Sequence, residues 1–233
     1  MLFRSVWSPE FIEEHAKLFE QEGKSVIYSP KSGPKKISAF EPNVSLVKTC
    51  IFPTIVMEKL ENKRPDIFER ACMFGSKEIA KKKCFIRFVK DMKANTSGKI
   101  SFEGRFPIVW TLMNHTDIVL SHHQDNGLNY LYFDAAWLGY PVVHNSDYVK
   151  ELGWHYSRFD ADGAVNAIID AANYFDGTPG RVEEYMAVSR EFISKYLPTH
   201  PRNVFGYKRL IEDRKSTHLN SSHMSESRMP SSA

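Results

Sequence analysis

One stretch constrains this fold more than any other: Thr116–Ser146, TDIVLSHHQDNGLNYLYFDAAWLGYPVVHNS. Thr116 to Leu120 is a short, apolar, β-branched run of buried-strand length. Ser121 to Gly127 is polar, and Leu128 to Leu138 has enough apolar periodicity for a helix packed on a sheet. Gly139-Tyr140-Pro141 ends that helix, and Val142-Val143-His144 restarts extended chain that Asn145-Ser146 closes. Strand, helix and strand in this order form a βαβ unit with parallel strands. Open α/β sheets bind ligands beyond the carboxyl ends of their strands. Both polar clusters, Ser121–Asn126 and His144–Ser146, fall at such ends.

The alternation continues on either side. Strands are expected at 37–41, 71–75, 100–104, 116–121 and 141–145. Helices are expected from about Ser45 to Asn62, from Phe106 to His115, from Gly163 to Phe175, from Val182 to Tyr196 and from Asn203 to Ile211. Asn43 or Ser45 would cap the first of these, Pro53 would kink it, and Asp160 would cap the third. Strands alternating with helices give an α/β fold, a Rossmann-like doubly wound parallel sheet. Residues 1–35, a helix begun by Ser8-Pro9-Glu10 and a linker, read as the remnant of a truncated N-terminal half. Residues 36–212 are the Rossmann-like domain. Residues 213–233 have seven serines and no period, and their DRKST-LNSSH pattern resembles a translated sequencing adapter. They are expected to be a disordered tail beyond the end of a truncated gene.

Composition narrows the classes. A net charge of +3 calls for neither nucleic acid nor an anionic membrane as partner. No apolar run approaches the roughly 20 residues of a membrane span, and no signal peptide precedes the fold. Cys50, Cys72 and Cys84 show no paired spacing and sit among apolar residues, so they read as reduced core thiols of a cytoplasmic protein.

The candidate chemistry lies in the loop His122-His123-Gln124-Asp125-Asn126-Gly127, with Asn129 and Asp134 following. Asn126 and Gly127 precede a helix, so the N–H groups of Asn126, Gly127 and Leu128 would point at an anion such as phosphate. Asp134, one to two turns into that helix, could hold two vicinal hydroxyls of a ribose. A plain N-cap for Asn126 and a solvated acid for Asp134 are the alternatives. Arg105, at a strand end, could grip phosphate bidentately. Asn145 stands at the end of the last expected strand. His122, His123 and His144 with Asp125 could suggest a metal, but adjacent strand residues point to opposite faces and no HxxxH or HxH spacing occurs. No metal is expected. One of His122 and His123 would instead face the cleft as a hydrogen-bonding or acid/base group.

NGLNYLYFDAAWLGYPVVHNS resembles the nucleotide-binding signature in the C-terminal domain of GT-B glycosyltransferases. Asp134 falls on the family's second acidic position, which holds the ribose of a sugar nucleotide, and Asn126 replaces the first acid, with Asp125 adjacent. FEPN at 40–43, FEGR at 102–105 and YPVVHNS at 140–146 are similar to a bacterial family catalogued as a domain of unknown function. The resemblance covers roughly residues 36–211. It implies that Glu41, Asn43 and Lys48 face an interdomain cleft, with Lys48 or Arg105 on a diphosphate.

On that resemblance the chain is the donor-binding half of a glycosyltransferase-like protein. The donor would be a nucleoside-diphosphate sugar, the acceptor an unidentified sugar or glycan, and His122 or His123 would sit near the reacting centre. No cofactor is implied. The general base and acceptor site would come from the missing N-terminal domain, leaving this chain inactive alone. A non-catalytic α/β binding or scaffold module, and an epimerase or phosphorylase on the same architecture, are the other readings, because fold does not fix function.

Overall fold

The computed structural model describes residues 6–45, 47–125 and 128–225, with side chains as far as Asp213. Two compact units divide the chain: Pro9–Phe192, and Met1–Ser8 with Ile193–Ala233. The larger unit holds the sheet. Its strands are β1 (Lys35–Ala39), β2 (Phe68–Met73), β3 (Ile100–Phe102), β4 (Ile118–Leu120), β5 (Val142–His144) and β6 (Trp154–His155). They pair in the order β3-β2-β1-β4-β5-β6, and every pairing is parallel. The chain reverses its direction of travel across the sheet between β1 and β4, the switch point at which a doubly wound sheet opens a crevice.

The intervening helices are α1 (Glu10–Glu20), α2 (Ile51–Lys63), α3 (Lys83–Val89), α4 (Lys93–Thr96), α5 (Ile108–His115), α6 (Tyr130–Trp137), α7 (Ala161–Tyr174), α8 (Arg181–Ser194) and α9 (Pro201–Ser225). Alternate strand residues point to opposite faces. Ile37, Ala39, Ala71, Met73, Ile118, Leu120 and Val143 meet Val56, Met57 and Leu60 of α2 and Ala164, Val165 and Ile168 of α7 in one core. On α6, Tyr132, Phe133, Ala135 and Ala136 are buried, the alanines allowing close approach to the sheet. Gly139, at φ +86°, closes α6: its N–H bonds to Ala136 O and that of Tyr140 to Ala135 O, the paired bonds of a Schellman cap. Asp160 caps α7 as expected, accepting the Gly163 N–H at 2.8 Å. In the smaller unit, Trp7 N–H donates to Tyr196 O at 2.9 Å and Asn203 Nδ2 donates to Lys195 O and Leu197 O.

Several expectations need correction. β1 and β2 begin and end two to three residues before their expected bounds, β3, β4 and β5 are shorter than expected and lie within theirs, and β6 was not expected, since two residues carry no readable period. The first core helix starts at Ile51 rather than Ser45. Asn43, at φ +55°, is the cause: its Nδ2 donates to Glu41 O at 2.7 Å and Gly75 O at 3.2 Å, while its Oδ1 accepts the Cys50 N–H at 2.8 Å. Residues 43–45 and 47–50 are thereby tied down as a loop. Pro53 then falls in the first turn, where its missing N–H costs nothing, and makes no kink. Cys84 is exposed on α3 and not a core thiol, whereas Cys50 and Cys72 are buried. α9 is helical through Ser225, and side chains beyond Asp213 and residues 226–233 of the expected tail lie outside the described residues. Among the described residues, no helix is long and apolar enough to cross a membrane.

Candidate functional site

The carboxyl ends of β1 and β4 deliver Glu41 and Ser121-His122-His123 to the switch point, and all four are buried. Glu41 organises them. Its Oε1 accepts Ser121 Oγ–H at 2.9 Å and His122 N–H at 3.1 Å, and its Oε2 lies 3.2 Å from His123 Nε2. Tyr132 Oη donates to Ser121 Oγ at 3.2 Å, so α6 is tied to the same cluster. A buried carboxylate costs several kcal/mol unless hydrogen bonds surround it, and here Ser121 Oγ and the His122 N–H supply two, both on Oε1, while Oε2 has no hydrogen-bond partner among the described residues.

The two histidines point to opposite faces. His122 turns toward α2 and stacks on Phe52 with ring centroids 3.9 Å apart. Tyr156 Oη donates to Ser121 O at 2.8 Å, so its oxygen accepts from His122 Nδ1–H at 3.1 Å. Nε2 of His122 is buried with no hydrogen-bond partner among the described residues. Burial first, and then the neighbouring His123, hold the His122 imidazole down at about 4. His123 turns toward α6, where its Nε2 lies 3.3 Å from both Ser121 Oγ and Asn129 Nδ2. His144, at the end of β5, donates from Nε2 to Leu152 O at 2.6 Å and accepts the Ser146 N–H on Nδ1 at 3.0 Å. Burial holds it at about 4 as well, against the raising effect of the Leu152 bond.

Beside this cluster a cavity of about 360 Å³ opens, lined by Glu41, Lys48, Arg105, Asn129 and Asp134 with Phe40, Phe74 and Phe106 among its apolar walls. Five expected site residues from four separate segments therefore meet at one place. Lys48 is held by the loop that Asn43 ties, its carbonyl accepting the Asn43 N–H at 3.1 Å. Arg105 donates weakly to Pro42 O at 3.5 Å and is otherwise exposed. Asp134 sits one turn into α6, between buried Phe133 and Ala135. The positive φ of Gly75 (+74°) matters here, because a Cβ would lie 2.9 Å from Glu41 O.

The remaining candidates are placed differently. Asp125 and His123 line a second, more polar cavity of about 370 Å³ with Asn145, Asp147, Tyr148 and Arg158. Asn145 is a clamp: its Oδ1 accepts the His123 N–H at 2.9 Å and its Nδ2 donates to His123 O at 2.8 Å. Neither His122 nor His123 is on the wall of the first cavity. Asn126 and Gly127 lie outside the described residues. The helix that was to begin just after them begins at Tyr130, so Leu128 precedes the cap rather than presenting a first-turn N–H. Asn129 is the N-cap, its Oδ1 accepting from Leu131 N–H at 3.3 Å. Asn43 acts through the loop it ties. The three phenylalanines, Tyr132 and Tyr156 were not anticipated, since aromatic residues beside strand ends look like core in a sequence.

Residues 3–211 match a family described as "Protein of unknown function (DUF2827)". The chain belongs to the DUF2827 family. No curated protein matches it. Among solved structures, the DUF2827 chain is similar to S. aureus TarM, a variant of which was crystallised with fondaparinux, alpha-GlcNAc-glycerol and UDP. That likeness has 16% identity and a TM-score of 0.58, covering 88% of this chain and 43% of TarM. It is similar to a glycosyltransferase from Rickettsia africae, at 17% identity and TM-score 0.55, covering 88% and 53%. It is also similar to a trehalose 6-phosphate synthase from Burkholderia multivorans, at 11% and 0.57, covering 98% and 52%. The DUF2827 chain thus spans about half the length of these proteins. At such identities the likeness shows the fold, which is the Rossmann-like α/β type of GT-B glycosyltransferases.

Proposed function

We propose that this DUF2827 chain is the donor-binding half of a glycosyltransferase-like protein, taking a nucleoside-diphosphate sugar in the cavity at the switch point. One observation carries the reading: Lys48, Arg105 and Asp134, remote in sequence, line a single crevice whose apolar walls include Phe40, Phe74 and Phe106. Lys48 and Arg105 supply positive charge for a diphosphate, Arg105 as a planar fork and Lys48 as a point charge. Asp134 accepts from the two ribose hydroxyls. Phe40, Phe74 and Phe106 offer apolar faces for a base. Glu41 acts as a positioning residue, fixing Ser121 and the chain at His122. Catalysis would rest on orienting the donor and stabilising the departing diphosphate electrostatically. The solved neighbour with bound UDP supports the ligand class, and the free cysteines agree with a reducing, cytoplasmic setting. The acceptor, a sugar or glycan, would be met by a further domain.

Titration calorimetry with UDP tests this. Binding is expected for the wild-type chain, weakened about ten- to a hundred-fold by Arg105→Ala or Asp134→Ala, the loss of a charge-assisted hydrogen bond. UDP binding unchanged by both substitutions would refute it.

A second reading, a binding module without transfer, draws on the seating of His122 and His123 away from the cavity wall. It predicts UDP binding by the full-length parent with no release of UDP from UDP-sugars.

A further inference from the structure

The near-neutral charge of this protein is an average over an uneven distribution. Residues 77–93, KEIAKKKCFIRFVKDMK, hold seven basic and two acidic side chains, while the whole chain nets only +3. The rest of the chain is therefore net acidic, and an excess of positive charge is gathered on one stretch, which includes the turn at 79–81 and helix α3.

The structure puts those charges on the surface. Lys77, Lys81, Lys82, Lys83, Arg87 and Lys90 are exposed. Lys83, Arg87 and Lys90 recur at helical spacing on the outward side of α3, while Phe85 and Val89 are buried on its inward side. Lys81 pairs with Glu78 at 2.7 Å and Lys90 lies 3.4 Å from Asp91. For Lys77, Lys82, Lys83 and Arg87, no carboxylate lies within ion-pair distance among the described residues.

One feature sets this face apart from an ordinary solvated one: Ile86, 49% exposed in the middle of the basic stripe. An aliphatic side chain ringed by lysines suits a headgroup layer, where cations meet lipid phosphates and the aliphatic group reaches the acyl boundary. Lysine as the dominant cation, with one arginine and no exposed aromatic on the stripe, fits diffuse attraction to a charged sheet better than fork recognition or base stacking.

We infer that the 77–93 face docks this protein on an anionic lipid surface, by diffuse attraction of Lys77, Lys82, Lys83 and Arg87 and shallow insertion of Ile86. The face begins two residues beyond Gly75, which lines the donor cavity, so the cavity and the docked face share one end of β2.

Co-sedimentation of the full chain with vesicles tests the inference. Vesicles of phosphatidylcholine with about one-third phosphatidylglycerol should carry the protein down, and pure phosphatidylcholine should not, since each surface cation contributes about 1 kcal/mol on anionic lipid only. Salt near 1 M, where the Debye length is about 3 Å, should release it. The triple variant Lys82→Gln, Lys83→Gln, Arg87→Gln should bind about a hundred-fold more weakly, from three such contributions. Ile86→Ser should weaken binding several-fold without changing its salt dependence. Three results would overturn the assignment: no sedimentation with anionic vesicles, equal sedimentation of the folded triple variant, or tighter binding of a DNA duplex than of the vesicles at equal salt. If the triple variant does not fold, the lipid and salt comparisons on the wild type still decide. None of these residues lines the donor cavity, so UDP affinity in the same preparations separates failure of this inference from failure of the donor reading.

Discussion

Lowering the pH from 7.5 to 5 sets His122 and His144 against their surroundings. Both are buried and neutral, and both are held at about 4 in the folded protein, whereas an unfolded histidine titrates near 6.5. Between these values the unfolded chain binds protons that the folded chain refuses, so stability rises with pH and is lost as pH falls from about 6.5 toward 4. For one such histidine the linkage relation gives almost nothing at pH 7.5 and about 2 kcal/mol at pH 5. The pair then removes about 4 kcal/mol, a large part of the 5–15 kcal/mol typical of a folded domain. Each kcal/mol moves the melting midpoint of a protein this size by about 2–4 °C, so the pair lowers it by about 8–16 °C. His122→Asn and His144→Gln each keep one ring-nitrogen hydrogen bond in outline and cannot titrate. Whatever each costs at pH 7.5, the difference in urea-unfolding free energy between pH 7.5 and pH 5 should shrink by about 2 kcal/mol in either variant. A wild-type difference that survives both substitutions intact would refute the argument, because the protons would then be taken up elsewhere.

Two further outcomes follow from geometry. Gly75→Ala places a Cβ 2.9 Å from Glu41 O at φ +74°, and should cost about 1–3 kcal/mol of stability and weaken UDP binding by moving the cavity wall, read by thermal melts and calorimetry. Thiol labelling of the native chain should modify Cys84 alone within the mixing time. Cys72 is buried, and burial pushes the buried Cys50 thiol up to about 12, so a second fast thiol in the folded protein would contradict the packing around α2 and β2.

The parts of the site that were legible in the sequence are those where a residue's chemistry coincides with a strand end. Glu41, Arg105 and the His122–Asn129 loop each follow an apolar, β-branched run, and such a run ends where its period ends. Asp160 was legible as a cap because an N-cap is a local bond to a neighbour three residues on. The start of α6 was not, because Asn126 and Asn129 are both competent caps, and packing of Tyr132 and Phe133 against the sheet favours the later one. The orientations of His122 and His123 were half legible. Their opposition follows from strand alternation, but their burial depends on Phe52, Tyr132 and Tyr156 from three distant elements.

The amino-acid order by itself determined the class of fold: alternating apolar strands and helices admit a parallel, helix-flanked sheet and little else, since period and chain reach are local properties. Which strands became neighbours was a tertiary decision. β1 lies between β2 and β4 although some 80 residues separate β1 from β4, and that pairing depends on both helical layers burying their apolar sides together. From it follow the meeting of Glu41 with Ser121, the crevice that collects Lys48, Arg105 and Asp134, and the outward turn of Lys83 and Arg87 on α3. No window of the sequence contains those contacts, because each joins residues that only a closed core brings together.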